Sequence, residues 1–333
     1  MIFVELVAML VVILIAAEVF TNALEHIGEK LKISDGVTGS IFAAVGTALP
    51  ETLVPILALT AGTANVHVNE EIGVGAILGA PLMLSTLSTS LLAFAVLKKR
   101  GMSGEFTPER TGLTRDLNFF IAAFAFATLA LYIPHTLPLV RATIGLALVL
   151  IYFIYIMLTL RASSGLVKDG HGTEAEGPML LCRIGLPNHI VVILLQLVLG
   201  LILLVAGAKG FIYGVEAASK MLGISTLLLS LLIIPIATEL PEKVNSILWV
   251  RRQKDTLAFG NITGAMVFQG TLLPAIGIMM TPWEPRKEVL AGVVITLLAA
   301  VWMRWAVSRG HIRVWQVWLN GALYLIYLGI ALS

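Results

Sequence analysis

The charges of this chain stand in short clusters between long apolar runs, and each run has the length of a membrane-crossing helix; "VVILLQLVLGLILLVAGA" (191–208) is one of them. A spanning helix needs about 20 predominantly apolar residues, because the lipid interior offers backbone polar groups no partner outside the segment. With 58% hydrophobic and 13% charged residues among 333, the composition is that of a polytopic membrane protein. The charge clusters divide the chain into ten expected spans: 2–24, 36–63, 71–97, 117–134, 137–161, 188–221, 224–250, 256–280, 288–307 and 311–332. The first apolar run has no basic leader and no small-residue cleavage site after it, so it reads as a span rather than a signal peptide.

Lysine and arginine in the short loops set the expected orientation. The segment 98–115, residues Arg161, Lys168 and Arg183, the "RRQK" of 251–254, and Arg304, Arg309 and Arg313 all fall on one side of a ten-span arrangement. That side is read as the cytoplasm, which places both termini outside. Arg286 and Lys287 are the main exceptions on the outer side. The single cysteine, Cys182, has no intramolecular disulfide partner.

A second regularity lies within these runs. "GTALPE" (46–51) returns as "ATELPE" (237–242), and a shift of 191 positions also aligns Phe20 with Phe211, Glu25 with Glu216, Ser34 with Ser225 and Thr47 with Thr238. Shared polar and proline positions at one offset point to a duplication. Five spans per half reverse the second copy in the membrane, so the expected fold class is all-α: ten transmembrane helices as two inverted five-helix repeats. The expected divisions are 1–161 for the first repeat, 162–187 for a cytoplasmic linker and 188–333 for the second repeat. Past the glutamates, "GVGAILGAPLML" (73–84) aligns with "AFGNITGAMVFQ" (258–269), and its glycines read as close helix packing rather than nucleotide binding. In the linker, His171 with Asp169, Glu174 and Glu176 reads as a solvated segment, a regulatory cation site being the alternative.

Glu51 and Glu242 each fall about halfway along an expected span. A charge at that depth costs at least about 2.5–3.5 kcal/mol, so it requires a cation, a proton or an aqueous cavity. The preceding prolines cannot donate to the carbonyls of Gly46 and Ala237, which frees those oxygens. Thr47 and Thr238, four residues before the glutamates, share their helical face. Carboxylates, hydroxyls and carbonyls together make an all-oxygen site of the kind that suits a hard cation such as calcium.

These paired LPE motifs, each followed by a small-residue span with G-x-x-x-G ("GAILG", 75–79; "GNITG", 260–264), resemble the two alpha repeats of the cation/calcium antiporter superfamily, in particular its sodium/calcium exchanger branch. The motif regions are near 43–84 and 234–269. The resemblance implies an alternating-access antiporter in which the first and sixth helices slide across a core of the second, third, seventh and eighth. It places acidic ligands at Glu51 and Glu242 and hydroxyl ligands at Thr47 and Thr238.

The departures from the family pattern are specific. The serine before LPE is Ala48 in one repeat and Glu239 in the other; the serines after the glycines are Ala80 and Ala265; the amide or acid four residues on is Leu84 or Gln269. Asn261, Ala265 and Gln269 form a polar stripe opposite an apolar one, Ala76, Ala80 and Leu84. Glu239 is either a further ion ligand or the partner of Lys243 four residues later. The resulting expectation is calcium, or a related divalent ion, exchanged for sodium, with protons as the alternative counter-ion. The protein is read as no enzyme, with no permanent cofactor and no nucleic-acid partner, in contact with the bilayer and its transported cations, in a plasma membrane, prokaryotic in type. An intramembrane hydrolase and a non-transporting cation sensor are the competing classes; no nucleophile arrangement, HExxH or phosphate loop supports the first. Glu18, Lys209 and Glu216 read as structural or snorkelling residues. Trp283, Trp302, Trp305, Trp315 and Trp318 read as interfacial anchors.

Overall fold

A computed structural model describes residues 2–30, 44–167 and 178–333, without the side chains of residues 24, 25, 28, 29, 44–50, 160, 163–167, 237, 241 and 242. Twelve α-helices run through the described residues: α1 (Ile2–Lys30), α2 (Ala44–Ala61), α3 (Val66–Met83), α4 (Thr89–Arg100), α5 (Arg110–Leu129), α6 (Pro138–Val167), α7 (Ile190–Leu222), α8 (Thr226–Thr238), α9 (Leu240–Arg251), α10 (Asp255–Met280), α11 (Lys287–Ser308) and α12 (Val314–Leu332). A π-helical turn, Leu84–Ser88, joins α3 to α4 without a break. Two-residue strands β1 (Glu105–Phe106) and β2 (Ile312–Arg313) pair antiparallel.

Eight stretches among the described residues are long and apolar enough to cross a membrane: α1, α3 through α4, α5 with the turn after it, α6, α7, α10, α11 and α12. The other two expected spans differ from the sequence reading. Of 36–63, residues 44–63 are described, and the helix there, Ala44–Ala61, is shorter than a full span. The span expected over 224–250 is two helices, because the chain departs from helical dihedrals at Glu239 (φ −95°, ψ 12°) and Pro241 opens α9. The expected linker starts later than 162, since α6 continues to Val167. Asp169, His171, Glu174 and Glu176 lie outside the described residues. Three residues of that segment are docked, since Met179 is buried and the amides of Leu180 and Leu181 donate to Asn22 and Gln196 at 3.0 and 2.9 Å, while residues 183–187 are exposed.

The described residues divide into two compact units, each drawing on both halves of the sequence: residues 1–69 with 160–223, and 70–159 with 224–333. In the first, α1 and α7 pack antiparallel along their length. Gly200, Gly207 and Gly214 recur every seven residues on α7 and meet Phe20, Ile13 and Leu6, which recur every seven on α1. Small residues let helices approach closely in lipid, where no hydrophobic force separates helix from solvent. A Cβ on Gly200 would lie 2.9 Å from the Phe20 backbone nitrogen, which cannot move aside. Gly200→Ala is therefore expected to destabilise by about 1–3 kcal/mol, read as a lower melting midpoint in detergent. Gly260→Ala, with nothing within 4 Å of its added carbon among the described residues, is the control that leaves the midpoint unchanged.

In the second unit the same physics separates the two glycine motifs. Gly75 and Gly79 sit against Leu227, Ser230, Leu231 and Pro235 of α8, as close packing requires, whereas Gly260 and Gly264 have open space or a distant tyrosine hydroxyl beside them. The π turn leaves backbone carbonyls displaced from their helical donors. Hydroxyls cover them: Thr86 donates to Leu82, Thr89 to Leu84 at 2.7 Å and Ser90 to Leu87 at 2.8 Å, while Asn320 of α12 donates to the Ser85 carbonyl at 2.8 Å. At the start of α5, Glu109 accepts from the amides of Thr111 and Gly112, both at 2.6 Å. Slight burial pushes its carboxyl up, but those amides and Arg115 outweigh it and hold it below the usual carboxylate range.

Several side chains fix this unit from a distance. Arg141, buried in the first turn of α6, donates to the carbonyls of Ile278, Thr281 (2.6 Å) and Pro282 (3.1 Å), so a guanidinium closes the carbonyl end of α10. Arg286, one of the two outer-side exceptions in the basic-residue pattern, is ion-paired to Glu71 at 2.5 Å. Trp283 corrects the anchor reading: it is 1% exposed, packs over Gly277 and donates to the Ala127 carbonyl at 3.1 Å. Trp302, Trp305 and Trp315 do cluster at the half-exposed ends of α11 and α12.

Candidate functional site

Glu51 lies on α2 and is 4% exposed. Val54, Pro55 and Ala58 follow it at helical spacing and are buried with it, so the carboxylate heads the inward face of an apolar helix. The backbone of Gly46 and Thr47 belongs to the first turns of the same helix; the Thr47 side chain lies outside the described residues.

The second copy of the motif, in the other unit, sits on the junction of α8 and α9. Pro235 inside α8 and Pro241 at the start of α9 bracket Glu239, whose amide still donates to the Pro235 carbonyl at 3.2 Å while its own carbonyl accepts from Lys243 at 3.2 Å. The side chains of Ala237 and Glu242 lie outside the described residues. Thr238 is 2% exposed and its hydroxyl donates to the Ile234 carbonyl at 3.1 Å. With its proton directed back into the helix, the oxygen keeps lone pairs for an electron-poor partner, as a cation ligand must.

Glu239 is fully buried and forms an ion pair with Lys243 at 3.5 Å. Lys243, 7% exposed, also donates to the Pro235 carbonyl at 3.0 Å. Of the two sequence readings of Glu239, the observed contact is the one with Lys243.

On α10 the polar stripe deepens along the helix: Asn261 is half-buried, Ala265 half-buried and Gln269 fully buried. Asn261 donates to the Ser246 hydroxyl of α9 at 3.0 Å, which joins the stripe to the helix that carries Glu242. Ser246 was missed in the sequence, although its position four residues after Glu242 marked it. Ala76, Ala80 and Leu84, the apolar counterpart, are buried. Among the described residues, no three of His, Cys, Asp and Glu gather as a metal cluster. The contacts seen here are of two kinds, the amide–hydroxyl pair Asn261–Ser246 and the Lys243 ammonium on the Glu239 carboxylate and the Pro235 carbonyl.

Another buried acid escaped the sequence reading. Asp116 of α5 accepts from Tyr155 at 3.1 Å and Thr263 at 2.8 Å, with the Arg115 guanidinium at 3.7 Å, and so ties α5, α6 and α10 together. Its signal was a lone acid on the edge of the fourth apolar run. Of the charges read as structural, Glu18 and Lys209 are exposed, and Glu216 pairs with Lys220 at 2.7 Å.

The sequence matches the sodium/calcium exchanger protein family over residues 1–161 and 192–333. The chain belongs to that family, which comprises ion exchangers of the cation/calcium superfamily rather than enzymes. It is 25% identical over 279 residues to CaxA of Alkalimonas amylolytica, described as a candidate antiporter, covering 82% of this chain and 79% of that one. Two solved structures share its fold. The H+/Ca2+ exchanger CAX superposes with a TM-score of 0.71 at 19% identity, covering all of this chain and 82% of that one. The sodium-calcium exchanger NCX_Mj gives 0.58 at 20% identity, covering 99% of both. The protein is thus a multi-span membrane protein of a cation/calcium antiporter family.

Proposed function

We propose that this protein is a secondary antiporter that exchanges calcium, or a related divalent cation, for sodium by alternating access. Glu51 carries the reading: a buried carboxylate at the head of the inward face of an apolar helix, repeated in the sequence by Glu242 beside a helix break. Two carboxylates match the charge of one calcium ion or of two monovalent ions, which is the balance an exchanger needs. Thr47, Thr238, Asn261, Gln269 and the carbonyls of Gly46 and Ala237 complete the proposed oxygen set. Glu239, held by Lys243, takes the part of a neutralised neighbour. The proposed architecture is ten helices in two inverted five-helix repeats (1–161 and 188–333) within a prokaryotic plasma membrane, with both termini outside.

Proton coupling is the second reading, and the Glu239–Lys243 pair favours it, because a carboxylate already neutralised by a lysine has no use for a sodium ion. The test is calcium uptake into proteoliposomes. An outward sodium gradient with pH clamped on both sides is expected to drive uptake. Uptake under a proton gradient alone, in sodium-free buffer, would replace sodium by protons as the counter-ion. Uptake under neither gradient, from protein shown to be folded, defeats the antiport reading.

A further inference from the structure

Pro235, Glu239 and Lys243 follow one another at four-residue spacing across the junction of α8 and α9, so their polar groups line one face of it. The Lys243 ammonium is 3.0 Å from the Pro235 carbonyl oxygen and 3.5 Å from the Glu239 carboxylate. Its side chain is 7% exposed and that of Glu239 is not exposed at all. A compact, strongly hydrated ammonium is costly to bury unless oxygens replace its water. Here the replacing oxygens are a backbone carbonyl beside a helix break and a carboxylate, the same two kinds of ligand that transporters present to a monovalent ion at such breaks.

We propose that the Lys243 ammonium is a built-in monovalent cation of the transport region, filling between the Glu239 carboxylate and the Pro235 carbonyl the place that a sodium ion would otherwise take. The inference rests on the antiport reading above and refines it: the charge of Glu239 is balanced by the chain itself, so this place adds nothing to the number of ions exchanged.

An ammonium that stands in for an ion can be replaced by an ion, whereas a structural ion pair cannot. Purified wild-type protein, Lys243→Ala and the double variant Glu239→Gln/Lys243→Met are melted in detergent, calcium-free, in sodium chloride and in choline chloride. The difference in midpoint between the two salts is expected to be roughly 5 °C larger for Lys243→Ala than for the wild type, because sodium binds only the folded form of the variant. The double variant, with no charge left to attract the ion, is expected to keep the wild-type difference. Equal sodium dependence in Lys243→Ala and wild type overturns the proposal. So does a Lys243→Ala protein that folds in neither salt, since sodium should then have taken the vacated place. The readout is ion binding and does not use calcium flux, so failure of the antiport reading in proteoliposomes and failure of this one are separate results.

Discussion

Glu51→Gln is expected to lower counter-ion-driven calcium uptake by at least about 100-fold while leaving the protein as stable as the wild type or more so. The substitution keeps shape and removes one charge from a buried position. Opposite charges in close contact interact by about 4 kcal/mol even at an effective dielectric of 20, and a divalent ion at ligand distance by more; a loss of about 2.7 kcal/mol already gives the 100-fold change. The folded protein, by contrast, is relieved of a carboxylate whose burial at membrane depth costs about 2.5–3.5 kcal/mol. Uptake and melting midpoint should therefore move independently or in opposite directions when both are measured on one preparation. A parallel fall of the two would make Glu51 a structural residue. Glu242→Gln is expected to lower uptake likewise, since the two residues hold equivalent places in the repeated sequence motif.

The largest effect on stability is expected from Asp255→Ala. Asp255 is 3% exposed and grips Arg100 with both oxygens, at 2.7 and 2.8 Å, while one of them also accepts from the Thr107 amide at 2.9 Å. The guanidinium donates further to the carbonyls of Glu105 and Val250 and lies over the Phe106 ring at 5.0 Å. One side-chain pair thus fastens the end of α4, the strand β1 and the turn between α9 and α10. Removing the carboxylate leaves the arginine half-buried among carbonyls, and loss of one partner from a buried pair costs about 3–5 kcal/mol. For a chain of this size that corresponds to a midpoint roughly 10 °C lower in a thermal melt. Lys99→Ala, an exposed neighbour of Arg100, is the matched change that should leave the midpoint within error. If both variants melt with the wild type, the contact at Asp255 does not hold this unit together.

These two sites also show what the sequence disclosed and what it withheld. Glu51 could be singled out because a carboxylate in an apolar run is conspicuous and the motif around it recurs, and the structure shows it buried. Eight of the ten apolar runs appeared among the described residues as helices of spanning length, since the lipid interior leaves the backbone few alternatives. The break at Glu239 was only half legible: Pro241 announced a disturbance, but the division of one expected span into α8 and α9 depended on Pro235 and on the buried Lys243 as well. Arg141 and Asp116 were not legible, because their partners lie far along the chain and include backbone carbonyls, which no side-chain pattern marks. Trp283 was misread for a related reason. Its place near a span end suited an interfacial ring, and only Gly277, which makes room for it, explains why it is buried.

The glycine seam between α1 and α7 limits how those two helices can travel. Three bulky side chains and three glycines engage at matching intervals of seven residues, a distance of about 10.5 Å along a helix. Any smaller axial shift would drive Phe20, Ile13 and Leu6 off the glycines and onto larger neighbours, so the seam acts as a detent with a single seat. Relative sliding of α1 against α7 is thereby suppressed. Motion imposed on one would be transmitted to the other, so that the pair would travel as one rigid rod of double thickness.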